Sequence, residues 1–161
     1  MTGSCRPKAV IARSESNMEI QIITRLPGNI KGLVQESEKE GFAFINRLKT
    51  EWEEASNCFD GTGEFLLSAS SDNYSMGVCG INVDPYLSDQ GVARLRHLYV
   101  SPAYRSRSIG SELVRACLNN LSNTTRMVRL RVPEPETGRF YEKLGFKAIR
   151  DTTATHIFTR V

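Results

Sequence analysis

The chain has 161 residues, 40% apolar and 24% charged. That is globular composition, sized for one domain with a core that needs no disulfide or metal to hold it. Lysines and arginines number 21 against 18 acidic residues, an excess of three, which does not by itself argue for nucleic acid. The cysteines Cys5, Cys58, Cys79 and Cys117 are irregularly spaced with no C-x-x-C pair. They read as reduced thiols in a cytoplasmic protein rather than a disulfide framework. Two histidines, His97 and His156, lack neighbouring ligands, so no metal is expected. No apolar run approaches the roughly 20 residues of a membrane span, and no secretory h-region is visible, so no membrane partner is expected.

Residues 1–17 are polar, basic and aperiodic, and are expected to form a flexible tail. The folded unit is expected over 18–161. Glu19 to Thr24 alternates polar and apolar residues, the period of a strand, and Pro27-Gly28 ends it. Ile30, Leu33 and Val34 recur at helical spacing up to Glu40, and Phe42, Ile45, Leu48, Trp52 and Ala55 mark a second helix. Asn57 to Gly63 is a loop. Phe65–Ala69 and Gly77–Val83 read as a hairpin, and Ala93–Val100 as a fourth strand stopped at Pro102. A basic, serine-rich loop then opens a helix near Gly110, whose buried stripe is Leu113, Val114, Cys117, Leu118 and Leu121. Met127–Val132 is a fifth strand. Glu136–Leu144 is a short helix capped by Gly145, and Phe146–Ile149 and Thr155–Thr159 are the last strands. The order is β-α-α-β-β-β-α-β-α-β-β, an α/β domain with about seven strands in a mixed sheet and about four helices.

The segment Leu98-Tyr99-Val100-Ser101-Pro102-Ala103-Tyr104-Arg105-Ser106-Arg107-Ser108-Ile109-Gly110 joins a strand end to a helix start through small and basic residues. The first N–H groups of a helix lack internal partners and carry partial positive charge, so such a junction suits phosphate. This segment resembles motif A of the GNAT superfamily, the Gcn5-related N-acetyltransferases. Phe140-Tyr141-Glu142-Lys143-Leu144-Gly145-Phe146 resembles a second block of the same family. The element order also fits that fold, so the likeness covers Met18 to Val161.

The resemblance implies acetyl-CoA as cosubstrate and acyl transfer to a primary amine of a small molecule or protein, by direct attack in a ternary complex. It places the pantetheine arm along Leu98, Tyr99 and Val100. It places the pyrophosphate on Arg105, Ser106, Arg107, Ser108, Ile109, Gly110 and Ser111, and the thioester in a slot between the fourth and fifth strands. Ser108 stands where the motif has its first glycine; if that position needs positive φ, serine there costs about 1 kcal/mol. Tyr141 matches the family's frequent general acid. The position of a common catalytic Glu falls on Arg94, which cannot act as a base. His97 and Glu134 are the remaining candidates for that role. Alternation along the strand puts His97 on the face opposite Arg94, Arg96, Leu98 and Val100. Trp52 could line the acceptor pocket, although its spacing with Leu48 and Ala55 suits the core. Acidic residues crowd the two early helices, which would suit a cationic amine, although Glu-rich faces are commonly just solvated. A non-catalytic acyl-CoA-binding or sensing module on the same fold is the alternative. A nucleic-acid module lacks interleaved surface aromatics. The assembly is left open between monomer and homodimer.

Overall fold

The apolar runs at Phe65–Leu67 and Met76–Ile81 have no polar alternation, which demands burial on both faces. The computed structural model, which describes residues 10–13 and 18–160, supplies a helical layer on each side of one sheet. In chain order the elements are β1 (Val10–Arg13), β2 (Glu19–Ile22), α1 (Ile30–Lys39), α2 (Phe44–Glu53), β3 (Phe65–Ser71), β4 (Tyr74–Val83) and β5 (Val92–Val100). A short 3₁₀ turn (Pro102–Tyr104) leads to α3 (Ile109–Asn119), β6 (Met127–Leu130), α4 (Pro135–Glu142), β7 (Lys147–Ala148) and β8 (His156–Thr159). From β2 onward this is the predicted order. Within the segment expected to be a tail, Val10–Arg13 instead forms a strand antiparallel to β2, so the sheet has eight strands. The rest of that tail lies outside the described residues.

The sheet order is β1-β2-β3-β4-β5-β6-β8-β7. Every pairing is antiparallel except β5 with β6. On one face Ile30, Leu33 and Val34 of α1 and Ile45 and Leu48 of α2 pack on Leu66 and Val78. On the other, Leu113, Val114 and Cys117 of α3 cover Leu67, Cys79, Ile81 and Leu95, and Tyr141 of α4 joins the same cluster. Burial of each such aliphatic side chain contributes about 1.5–3 kcal/mol. One glycine is fixed by the approach of β4 to β5: a Cβ on Gly77 would sit 2.7 Å from the Tyr99 carbonyl oxygen.

Candidate active site

The single parallel pairing makes the site. β5 and β6 are in register only through Val92–Met127, Ala93–Val128 and Arg94–Arg129. β5 runs on to Val100, whereas β6 ends at Leu130, short of the predicted Val132. The Val132 N–H turns instead to the Thr155 hydroxyl at 3.0 Å. Beyond Arg94, the edge of β5 that faces β6 is therefore without a neighbouring strand. The wedge between them opens into a cleft of about 970 Å³ that reaches both faces of the sheet.

β5 carries a bulge that the sequence did not announce. Val78 pairs with Tyr99 and Gly80 with Arg96, so two steps along β4 match three along β5. The extra residue is His97, at φ +61°, the left-handed region that histidine tolerates better than most side chains. The bulge resets the alternation. Leu98 and Val100 join the α3-side cluster. Arg96 reaches α2, with its guanidinium 3.9 Å from Glu51. His97 stacks on Phe44 at 6.3 Å and meets Phe59 edge-on at 5.9 Å. The expectation that His97 faces away from Arg96, with Leu98 and Val100 on the arginine side, is thus corrected. His97 and Arg96 share the α1/α2 face, and Leu98 and Val100 take the other, because a bulge shifts the period of two by one residue.

At the end of β5 the chain passes through the 3₁₀ turn into α3. Ser106 and Ser108 both have positive φ, +65° and +62°. Ser108 is the residue before the helix, and its side chain makes no capping bond. The first helical bond runs from the Glu112 N–H to the Ser108 carbonyl. The N–H groups of Ile109, Gly110 and Ser111 lie ahead of it in the unsatisfied first turn. Ser106, Ser108, Ile109, Gly110 and Ser111 all line the cleft. A Cβ on Gly110 would make only ordinary contacts, 3.6 Å from Phe140 and 3.7 Å from Val100. Unsatisfied N–H groups at a helix start have the chemistry to receive an anion.

The two arginines of the loop do something other than the sequence suggested. The Arg105 guanidinium donates to both Glu40 carboxylate oxygens, at 2.6 and 2.7 Å, and its Nε to the Val100 carbonyl at 3.0 Å. It also lies 5.5 Å from the Tyr99 ring centre. Glu40 accepts the Tyr99 hydroxyl as well, at 2.8 Å. The Arg105 hydrogen bonds hold the Glu40 carboxyl below the usual carboxylate range, and burial with the Glu40 bond pushes the Tyr99 phenol up. Arg105 is therefore a tether from the loop to the residue that ends α1. Arg107 lies over the Tyr104 ring, 5.6 Å from its centre, and faces a separate cavity of about 430 Å³ beside the β3–β4 turn. Arg105 is paired with Glu40, whereas Arg107 has only the Tyr104 ring beside it among the described residues.

Tyr141 is the buried residue of α4 that faces the cleft, 6% exposed and held edge-on by Phe140 at 5.0 Å and Phe146 at 5.5 Å. Among the described residues no group bonds its hydroxyl. Burial raises its pKa, so it remains a protonated phenol. His97 lies in the same cleft, 7% exposed, with neither ring nitrogen hydrogen-bonded. Burial, and then the positive charges of Arg96 and Arg47, lower its pKa to about 3. Its imidazole is neutral and weakly basic. Glu134 is an exposed, extended residue ahead of α4 and does not line the cleft. Trp52 packs on the α1/α2 cluster, also away from the cleft.

Arg94 is not idle where a carboxylate was sought. It and Arg129 flank Asp84, whose side chain is fully buried, at 3.4 and 3.2 Å. Arg94 also donates to the Thr153 carbonyl at 2.7 Å, and Arg129 to Asp151 at 2.8 Å and the Thr153 hydroxyl at 2.6 Å. This cluster pins the connections after β4 and before β8 to the point where β5 and β6 part. The isolated arginines inside strand patterns were the sequence signal for it, because a buried arginine requires partners.

The sequence profile of the acetyltransferase (GNAT) family matches residues 32–146, and the chain belongs to that family, whose chemistry is acyl transfer. No relative among curated proteins matches the chain. Among solved structures, a candidate acetyltransferase from Exiguobacterium sp. is 26% identical, with a TM-score of 0.78 over 88% of this chain and 93% of its own. An aminoglycoside acetyltransferase in complex with coenzyme A is 15% identical, with a TM-score of 0.66 over 89% and 95% of the two chains. A GNAT N-acetyltransferase from Escherichia coli in complex with CoA is 16% identical, with a TM-score of 0.64 over 89% and 81%. At these last identities the likeness is one of fold. Among the described residues no helix is long and apolar enough to cross a membrane.

Proposed function

We propose that the protein is an acetyl-CoA-dependent N-acetyltransferase that acts on a primary amine by direct attack in a ternary complex. The observation that carries the reading is the alignment of three features along one cleft: the unpaired edge of β5, the open start of α3, and the Tyr141 hydroxyl without a partner. Acetyl-CoA supplies the activated acyl thioester. The backbone of Leu98 to Val100 would bond its pantetheine amides as a further strand would. The N–H groups of Ile109, Gly110 and Ser111, with the Ser106 and Ser108 hydroxyls, would hold the pyrophosphate. The residues present fit that group, since the helix start is lined by small side chains and by first-turn N–H groups.

Tyr141 donates its proton to the departing thiolate as the carbon–sulfur bond breaks. Burial keeps the phenol protonated, so a proton donor is in place when negative charge develops on the sulfur. His97 does not serve as the general base. A group with a pKa near 3 captures a proton from an ammonium of pKa about 8–10 at a negligible rate. Glu134 is exposed and does not line the cleft. The amine therefore enters as its free base, and solvent in the open cleft receives the second proton. The three described free cysteines support a reducing compartment, and with it a cytoplasmic location.

Among the described residues the one carboxylate lining the cleft, Glu40, is engaged by Arg105 and Tyr99, and that observation favours a non-catalytic acyl-CoA-binding module instead. Thiol release from acetyl-CoA decides between the two. The enzyme reading expects amine-dependent thiol release together with thermal stabilisation by acetyl-CoA of about 2.7 kcal/mol at 100 times its Kd. Stabilisation without amine-dependent release identifies a binding module. Neither effect at millimolar cosubstrate removes both readings.

A further inference from the structure

The cleft has two unlike ends. On the α3/α4 side lie the helix start and Tyr141. On the α1/α2 side lie Arg47, Arg96 and His97 between the rings of Phe42, Phe44 and Tyr86. Phe42 and Tyr86 are 40% and 59% exposed, large apolar surfaces left open at the cleft mouth.

Two carboxylates of the early helices, Glu36 and Glu51, each keep a buried oxygen without a hydrogen bond, and Glu51 approaches Arg96 at 3.9 Å from behind the cleft lining. Of the carboxylates of these helices only Glu40 lines the cleft, and Arg105 and Tyr99 occupy it. Asp84 is sealed between Arg94 and Arg129. Arg47 has no hydrogen-bond or ion-pair partner among the described residues. Arg96 has only a 3.3 Å bond to Asn82 and the 3.9 Å approach to Glu51. His97, buried and aimed into this end, leaves two ring nitrogens unbonded. A polar atom buried without a partner is unfavourable until a ligand supplies one.

Resting on the acetyltransferase reading above, we propose that the acceptor is an amino carboxylic acid with an apolar carbon frame. Arg47 and Arg96 receive its carboxylate, His97 bonds its polar head, and the rings of Phe42, Phe44 and Tyr86 cover the frame. The positive charges of Arg47 and Arg96 repel an acceptor that is only a cation and attract one that carries an anion. In the reaction the amine nitrogen bonds to the acetyl carbon as the carbon–sulfur bond breaks. The product is an N-acetyl amino acid plus CoA thiol, which takes one proton from Tyr141; the free-base amine gives up one N–H proton to water, and water returns a proton to Tyr141.

The test compares phenylalanine, phenylalaninamide and phenethylamine, three amines that share a ring and differ in the carboxylate. Thiol release should favour phenylalanine in kcat/KM by about 10- to 100-fold, the weight of a charge-assisted hydrogen bond. In Arg96→Gln and Arg47→Gln the preference should shrink through KM, with acetyl-CoA affinity by calorimetry as in wild type. Equal or better turnover of phenethylamine, or a preference that survives both substitutions, overturns the proposal. Direct titration with N-acetylphenylalanine and N-acetylphenethylamine reads the same subsite without turnover. Tighter binding of the acid, lost in the two variants, supports the carboxylate site even if all three amines prove inert, a result that would count only against the acetyltransferase reading. Equal binding of the two overturns the carboxylate site whether or not the protein is an enzyme.

Discussion

Ser108 offers a prediction whose size follows from geometry. The residue sits at φ +62° and ψ +14° just before α3, and its hydroxyl caps nothing. A left-handed conformation costs an L-residue about 1–2 kcal/mol, a penalty that glycine avoids. Glycine in turn releases more freedom on unfolding, worth about 0.4–1 kcal/mol in the opposite direction. No protein hydrogen bond is lost. Ser108→Gly should therefore stabilise the apoprotein by about 0.5–1 kcal/mol, a Tm rise of about 1–4 °C at this chain length. Ser108→Ala keeps the strained backbone and removes only the hydroxyl, so its Tm should not rise. Calorimetry with and without acetyl-CoA separates the two contributions. If the hydroxyl also bonds the pyrophosphate, both variants bind acetyl-CoA more weakly by the same factor, although only one is more stable. A lower Tm for Ser108→Gly than for Ser108→Ala would refute the strain argument.

Two further predictions concern the α1/α2 side and the cluster beneath it. His97 has a folded pKa below its unfolded one, so the stability that depends on its neutral form is complete above about pH 6.5. That stability is lost as pH falls toward about 3, by on the order of 4 kcal/mol. His97→Asn keeps a residue that tolerates positive φ and removes the titration, so the wild type should lose stability over that window relative to the variant in pH-dependent denaturant melts. The acidic limb of kcat/KM should also lack a step near pH 6.5 and follow the amine's own ionisation. Asp84→Ala leaves two guanidinium groups buried together, which should cost about 3–5 kcal/mol and lower Tm by about 6–20 °C. Asp84→Asn, which retains an acceptor, should lose less in the same calorimetric scan.

Local patterns carried most of the fold. The period of the isoleucines at Glu19–Ile22, the helical stripe of α3 and the prolines after β5 and β6 each act within a few residues, where sequence and conformation are tightly linked. The open start of α3 after Ser106 and Ser108 was legible for the same reason, since it is set within a few residues. What escaped depends on contacts between distant segments. Arg105 reads as a phosphate partner until Glu40, 65 residues away, is seen to hold it. The period of two along β5 fails at His97 because a bulge leaves only a weak trace in composition, and that one residue reversed the faces assigned to Leu98 and Val100. Glu134 and Arg107 stand in the right segments, but their side chains lie outside the cleft. Strand β1 lies in a stretch without clear alternation, where pairing with β2 rather than local preference fixes the conformation.

The most direct measurement is the turnover of Tyr141→Phe. The hydroxyl bonds no group among the described residues and the ring contacts are kept, so Tm and acetyl-CoA affinity should match wild type. General acid catalysis is worth about 10²–10⁴-fold, and kcat for amine acetylation should fall by that factor. Turnover within a few-fold of wild type, in a variant that binds acetyl-CoA normally, would contradict the account, because the thiolate would then leave without the proton assigned to Tyr141.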